Sequence, residues 1–444
     1  MFVSIVLLCI SICFILLLLK SRRPKNFPPG PPAWPVLGNL LYLISKDPLK
    51  NLEKLRQSYG NVYSLFLGSR PVVVINGLKM MKEAMVTKGP HFAGRPQDLL
   101  MNRLTQWKGV ILADYNSAWR EHRRFDLMTL KIFGLGKKSM EDQIHEELHH
   151  TIKILDQSAG KTLSPQVMFH NITSNVIFKF LFGTRYEYDD ENKVRIQINI
   201  NTITHKKSRI PGEPRDFIDC YLEELDKKND ASSFSEEQLI SQLFDLYLAG
   251  TDTTANTLRT AFLYLMNHPQ IQERCQQEID QVLEGKDRVT FEDRHNMPYM
   301  QAVIHEVQRV ANTVPLSAFH CTTRDTELLG YSIPKGTMII QNMMSVLKEE
   351  GQWKFPHDFN PENFLNEQGE FVKPEAFMPF SAGPRMCIGE SLASMELFLI
   401  VVTLLRKYKF IWPQDAGEPD YTMVFAGSLT PKPYNMKIES RSPQ

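Results

Sequence analysis

A chain of 444 residues can bury a large core, and length alone allows two or three domains. Its 51 basic and 50 acidic residues nearly cancel, which excludes a global field that would draw the molecule to nucleic acid. Six cysteines (Cys9, Cys13, Cys220, Cys275, Cys321 and Cys387) lie scattered with no C-x-x-C pair, which argues against a disulfide framework or a zinc site and for a reducing compartment.

At the N-terminus, Phe2 to Leu19 is a run of 18 uncharged, mostly apolar residues. As a helix it measures roughly 27 Å, about one hydrocarbon thickness. A cleaved signal peptide is the rival, but no basic n-region precedes the run and no small-x-small site follows it. Lys20, Arg22, Arg23 and Lys25 come next, so the positive-inside bias keeps the body of the chain cytosolic. Residues 1–20 therefore read as an uncleaved membrane anchor. Residues 21–38 are basic and then Pro-rich. Phe27 to Pro35 can be neither helix nor strand and reads as a stiff extended spacer, with a proline-rich linker or ligand segment as the alternative.

Residues 39–444 read as one body. Asn51 to Tyr59 predicts a short amphipathic helix, and Val62 to Leu67 with Pro71 to Ile75 predicts a hairpin across Gly68-Ser69-Arg70. Helices are predicted over Asp114 to Leu130, Glu141 to Leu155 and Thr173 to Leu181. The longest is expected over Glu236 to Met266, stopped by Asn267-His268-Pro269. Ile271 to Leu283 and Pro298 to Val310 continue the helical pattern. Short strands are expected around Thr326 to Ile333, Thr337 to Gln341 and in the tail from Tyr421 to Ile438. A Pro/Asn/Glu-rich meander leads to Phe380, and Glu390 to Lys407 predicts the last helix. Helix dominates, with a minor sheet. His145, His149 and His150 accompany Glu146 and Glu147 on a charged helix and read as a solvated face.

The chemistry gathers at Phe380-Ser381-Ala382-Gly383-Pro384-Arg385-Met386-Cys387-Ile388-Gly389. One cysteine stands where a loop becomes a helix, and unpaired N–H groups there favour thiolate over thiol. Gly383 and Gly389 let the backbone approach a flat partner, and Arg385 places a cation two residues before the sulfur. Phe380, seven positions upstream, would shield one side of it. Thiolate, close backbone and cation together suit a haem iron with an anionic propionate alongside. Trp119 and Arg123, spaced i, i+4 on a predicted helix, can share one face and meet one propionate. In the long helix, Ala249-Gly250-Thr251-Asp252-Thr253-Thr254 combines a glycine with side chains that compete for the backbone, so a kink able to hold water is expected. Glu306 and Arg309 form an i, i+3 pair, a signal that is weak by itself.

The pattern Phe-x-x-Gly-x-Arg-x-Cys-x-Gly closely resembles the haem-ligand loop of the cytochrome P450 monooxygenases. The whole chain looks like a vertebrate microsomal member of the second family, near subfamilies that act on arachidonic acid. Pro28-Pro29-Gly30-Pro31, Pro214-Arg215-Asp216-Phe217-Ile218-Asp219 and Phe355-Pro356 add to the likeness. The resemblance implies the mainly α P450 fold with its minor sheet, a haem b between the long helix and the helix after Cys387, and Cys387 as the axial thiolate. It also implies Glu306–Arg309 as a brace of the core, with Asn363 standing where the family often has a third, charged member. Arg95 and His320 match positions that reach the propionates, beside Trp119, Arg123 and Arg385. Asp252 and Thr253 match the acid–alcohol pair that routes protons when O2 is split. Pocket walls are expected from Leu99 to Leu112, Phe244 to Ala249, Val314 to Ser317 and Gly427 to Leu429.

The implied activity is insertion of one oxygen atom into an apolar fatty acid or xenobiotic, with electrons from NADPH–cytochrome P450 reductase and possibly cytochrome b5 as a further donor. The implied location is the endoplasmic reticulum membrane, catalytic body in the cytosol. One region departs from the family. Only Glu191 to Glu213 separates Asp190 from Pro214, 23 residues where the family builds two lid helices and their loop, and Asn199 to Thr204 is polar and β-leaning. Most of the lid therefore reads as deleted. The alternative function is a membrane-anchored haem-binding protein whose turnover is impaired for want of the lid.

Overall fold

The computed structural model describes residues 23–133, 138–158, 160–186, 202–227 and 232–441. The expected anchor at 1–20 lies outside the described residues, as does 191–201 of the expected lid remnant. Among the described residues no helix is long and apolar enough to cross a membrane.

Ten helices carry the description: α1 (Pro48–Tyr59), α2 (Ser117–Phe133), α3 (Lys138–Gln157), α4 (Pro165–Phe182), α5 (202–208), α6 (Phe217–Asp226), α7 (Glu236–Asn267), α8 (Pro269–Val282), α9 (Pro298–Ala311) and α10 (Glu390–Lys407). The strands are β1 (Val62–Leu67), β2 (Arg70–Ile75), β3 (Thr162–Leu163), β4 (His320–Cys321), β5 (Thr326–Leu328), β6 (Tyr331–Ile333), β7 (Met338–Gln341), β8 (Tyr408–Ile411), β9 (Met423–Phe425), β10 (Leu429–Pro431) and β11 (Met436–Ser440). The main sheet runs β1-β2-β7-β4, with β1 and β2 antiparallel (Val62 opposite Ile75) and β2 parallel to β7 (Val72 opposite Met338). Successive side chains point to opposite faces of a strand. Val62, Val73, Ile75 and Ile339 therefore face the large helical core, while Tyr63, Leu65, Val72 and Ile340 face a second core under α1. The predicted mainly α architecture with a small sheet is the observed one.

α7 is the axis of the molecule, 32 residues and about 48 Å long. Ser235 caps it by accepting from the Gln238 N–H at 3.2 Å, Glu236 and Glu237 sit in its positive first turn, and Pro269 ends it. α4 lies along it. A Cβ on Gly250 would come 2.5 Å from Ile177 Cδ1, the Thr173 hydroxyl donates to Thr251 O at 3.1 Å, and Phe169 stacks on Phe262 at 5.0 Å. α10 is apolar almost all round and passes behind α7 and α9.

Two expectations are corrected. The Pro-rich stretch after the basic residues is no free spacer, because it is laid against the sheet. Pro29 O accepts from Ser64 N at 2.7 Å, Pro28 O from the Ser64 hydroxyl at 2.6 Å and Pro32 O from Asn39 Nδ2 at 2.8 Å. Prolines offer only acceptors, and neighbouring donors take them. The β-leaning reading of Thr202 to Thr204 also fails, since 202–208 is helical. The helix satisfies its own backbone, and His205 anchors it through Asp216 Oδ2 at 2.6 Å.

Candidate active site

The loop before α10 is shaped by two residues with positive φ, Ser381 (61°) and Gly383 (74°), and a one-turn 3₁₀ helix over Gly383–Arg385. A Cβ at Gly383 would lie 1.7 Å from Met85 O, so only glycine fits. Gly389 is different: its φ is −91°, and a Cβ there would meet the Cys387 sulfur at an ordinary 3.8 Å. Cys387 N–H donates to Phe380 O at 3.0 Å, which points the thiol into a cavity of about 280 Å³. Phe380, Cys387 and Gly389 all line that cavity, facing α7. Surrounding protein pushes the thiol's pKa up, while the N–H groups of Gly389 and Glu390 and the Arg123 guanidinium pull it down. The N–H groups at the helix start thus favour thiolate, as the sequence implies, while the surrounding protein opposes it. A bound metal cation deprotonates such a ligand outright.

Three guanidiniums converge on the same cavity. Arg385 donates to Ala93 O and Ala113 O, each at 2.8 Å, and Arg95 to Ile111 O at 2.7 Å and Ala318 O at 2.8 Å; Arg123 reaches Met386 O. Among the described residues no carboxylate forms an ion pair with any of them. Burial and the neighbouring Arg95 push Arg385 down to about 8, and burial and Arg123 push Arg95 down to about 10. Buried cations of this kind call for an anionic ligand.

Trp119 and His320 sit beside the arginines but are not free to donate into the cavity. The indole N–H of Trp119 goes to Val110 O at 2.9 Å, and its ring carries Arg385 at 3.9 Å and Arg123 at 5.5 Å. That stacking orders two arginines at the cavity. His320 spends Nδ1 on Phe92 O at 2.7 Å and Nε2 on Gln341 at 2.9 Å, and burial with Arg95 and Arg385 holds its pKa well below the usual imidazole range. Gln341 in turn accepts from the Ser381 hydroxyl at 2.8 Å, so His320 steadies the cysteine loop from β4.

Across the cavity, α7 presents Ala249, Gly250, Thr253 and Thr254. Thr253 donates to Ala249 O at 2.7 Å, the back-bonding that loosens a helix. Asp252, its expected partner, does not line the cavity. Two acids do: Asp245, inside the expected wall of Phe244 to Ala249, and Glu396, which sequence reasoning passed over. Asp245 accepts from Val110 N at 2.7 Å and Ile111 N at 2.9 Å, and burial raises it to about 6. Its signal was an acid interrupting the apolar face of the longest helix. Glu396, on α10, is buried and raised to about 8, with Thr254 as its hydrogen-bond donor. Nothing in the apolar run of α10 marked it. Of the expected pocket walls, Val110, Ile111, Leu246, Ala249, Val314 and Ser317 line the cavity. Leu99, Phe244 and Gly427 to Leu429 are not part of its wall.

The brace is fully formed. Arg309 meets Glu306 through two 2.7 Å hydrogen bonds with both side chains buried, and also donates to Leu347 O and Pro356 O at 2.9 Å. Asn363 donates to both Glu306 oxygens at 3.3 Å, so a neutral amide fills the third place. His145, read as part of a solvated face, is half-buried and bonded to Val289 O at 2.8 Å.

A sulfur at one wall, an alcohol opposite and unpaired guanidiniums between them fit a flat, dianionic haem. A family model described as cytochrome P450 matches residues 28–210 and 202–438. The chain is 39% identical to cytochrome P450 2J5 of Mus musculus over 453 residues, covering 92% of this chain and 90% of the relative. It is 40% identical to cytochrome P450 2D10 of Mus musculus over 480 residues (96% and 95%), and 38% identical to cytochrome P450 2J2 of Homo sapiens over 444 residues (89% and 88%). The cofactor of that family is a haem whose iron takes a cysteine thiolate. By its site and by this similarity, the chain belongs to the cytochrome P450 family, among the second-family haem monooxygenases of vertebrates.

Proposed function

We propose that Cys387 is the axial thiolate of a haem b seated between α7 and α10, and that the chain puts one oxygen atom of O2 into an apolar substrate, a fatty acid such as arachidonic acid or a xenobiotic. The observation that carries this reading is one cavity lined by Cys387, Thr253 and three guanidiniums that, among the described residues, form no ion pair with a carboxylate. Bound there, haem supplies the activation of O2. Arg95, Arg123 and Arg385 neutralise its two propionates, Trp119 orders the last two by stacking, and His320 holds the loop through Gln341. Phe380 and Gly383 fix the sulfur's approach, and Glu306–Arg309 supports the core behind it. Thr253 offers a hydroxyl at the cavity wall and Asp252 an acid beside it, a pair suited to passing protons inward. Ile111, Leu246, Ala249 and Val314 give the substrate side its apolar surface.

Electrons come, in this reading, from NADPH through cytochrome P450 reductase, with cytochrome b5 as a further donor. The exposed face of α2 supports that: Arg120, Arg124 and Lys131 surround Leu127, Met128 and Ile132, next to Arg123. Trp34, Val36, Leu37, Leu41 and Ile44 are exposed just after the proposed anchor, which supports attachment to the endoplasmic reticulum membrane.

We also read the lid as largely deleted. The alignment to the 2D10 enzyme runs over 480 positions although this chain has 444 residues, and the family match breaks into two pieces that meet at 202–210. The missing lid favours the second reading, a haem-binding protein with impaired turnover. A reduced, carbon monoxide difference spectrum tests the first claim, with a thiolate-type Soret band expected for the wild type and its loss for Cys387→Ala. NADPH consumption coupled to oxygenated product supports the enzyme. Consumption that ends only in peroxide supports the impaired protein.

A further inference from the structure

The cavity that Cys387 lines has two unlike ends. α7 borders it from Asp245 to Thr257, a span of about 18 Å. The Asp245 end belongs to the guanidiniums: Asp245 accepts from Ile111 N at 2.9 Å, and Arg95 donates to Ile111 O at 2.7 Å. At the other end, Thr257 meets Thr313 of the loop after α9, their hydroxyl oxygens 3.1 Å apart, and Thr257 also donates to Thr253 O at 2.8 Å. Both threonines line the cavity.

Gln308, on the last turn of α9, lines it as well. The residue is only 7% exposed, yet among the described residues its side-chain amide makes no hydrogen bond. An amide carries two N–H donors and one carbonyl acceptor, and leaving them unpaired in the interior is costly. Such groups almost always have partners, so this one calls for a partner that enters the cavity. Haem is polar only at its two propionates, which the guanidiniums claim, and the remaining candidate is the substrate.

The group held there is uncharged. Among the described lining residues, Arg95, Arg123 and Arg385 are the cations. The arginines closest in sequence to Gln308 and Thr257 are committed elsewhere. Arg309 pairs with Glu306, and Arg259 donates to Asn256 Oδ1 at 3.0 Å and Pro431 O at 2.8 Å. The ionisable lining group bonded to this part of α7 is itself an acid, Glu396, through Thr254. A carboxylate only accepts hydrogen bonds and would leave water with no cation to replace it. An alcohol or a carboxamide gives and accepts, as Gln308 and Thr313 do. We propose that Gln308 and Thr313 form a polar subsite that holds an alcohol or carboxamide group of the substrate, so that long-chain alcohols and amides are preferred to free fatty acids.

The proposal rests on the reading of this cavity as the oxygenation site, yet ligand binding can be measured apart from turnover. Full-length holoprotein is titrated with three ligands of one chain length, dodecanol, dodecanamide and dodecanoate, at neutral pH where the acid is ionised. Dissociation constants are read from the change in haem absorbance and from calorimetry. The alcohol and the amide are expected to bind about five- to tenfold tighter than the acid, the size of roughly one neutral hydrogen bond. Gln308→Leu and Thr313→Val should each weaken the alcohol and the amide about fivefold and leave dodecanoate within about twofold. Tighter binding of dodecanoate by the wild type overturns the subsite, and so does an equal loss for all three ligands in the variants, which a merely structural role would give. A carbon monoxide band that keeps its intensity but moves in Gln308→Leu assigns the amide to the haem and overturns it too. Where Gln308→Leu takes up no haem, Thr313→Val, at a half-buried position, decides. A wild-type chain without haem counts against the monooxygenase reading alone, and calorimetry with the same ligands then decides the subsite.

Discussion

At the scale of single residues, the two glycines of the cysteine loop carry unequal demands. Gly383 combines a positive φ with a backbone carbonyl where its Cβ would be, so Gly383→Ala must displace the loop from Met85. Such strain costs about 1–3 kcal/mol, and the expected result is poor haem loading, read as the ratio of Soret to protein absorbance. Gly389→Ala meets only an ordinary contact, and its effect on the unfolding midpoint of the haem-free protein should stay within about 0.5 kcal/mol. The sequence pattern placed both glycines without distinguishing them, because a motif shows where a residue stands and not which atoms crowd it. In the same way it placed Trp119 and His320 beside the arginines, while their hydrogen bonds to Val110 O and Phe92 O, carbonyls from other parts of the chain, were not legible in it.

At the scale of elements, the seam between α4 and α7 and the brace on α9 set the site's geometry. Gly250 is where α7 comes closest to α4. Alanine there gains about 1 kcal/mol of helix propensity but strikes Ile177. Gly250→Ala should therefore destabilise the wild type and become neutral or stabilising in an Ile177→Ala background, a sign change visible in a double-mutant cycle of urea midpoints. On α9, Glu306→Gln leaves Arg309 buried against a neutral partner. The expected loss is about 3–5 kcal/mol, with loss of the carbon monoxide band. Asn363→Ala removes neutral hydrogen bonds worth about 1 kcal/mol each and should leave the band in place at a lower melting temperature.

At the scale of the whole molecule, buried acids shape the response to pH. Asp126 of α2 is fully buried, accepts from Gln242, and is raised to about 8 mainly by desolvation. An unfolded aspartate releases its proton near 3.9. Between about 4 and 8 the native state therefore holds a proton that the unfolded chain has lost. The stability it contributes is complete below about 4 and disappears as pH rises through 8, with a slope of at most about 1.4 kcal/mol per pH unit. Asp126→Asn should flatten that slope in urea titrations of the haem-free protein between pH 5 and 9, and should be the more stable form at pH 9. Equal slopes in the two proteins would count against a neutral Asp126. Arg385 is a buried cation with no carboxylate partner among the described residues, so haem, whose propionates would supply the anion, should stabilise the protein more than a porphyrin analogue without propionates does.

What the sequence determined by itself was the set of elements and the family. Helix periodicity, caps and proline stops located α7 and α10 to within a residue or two, and local spacing alone put Cys387, Arg385 and Gly383 in one loop. What only the tertiary structure decided was direction. Asp252 and Thr253 adjoin in sequence yet only Thr253 lines the cavity, Glu396 becomes a cavity wall, and Asn363 completes a buried pair from across a meander. The physical reason is that period and propensity act through neighbouring residues, whereas burial and hydrogen-bond partners are supplied by segments tens to hundreds of residues away. The same limit explains the proline stretch, whose stiffness was legible while its seat on Ser64 was not.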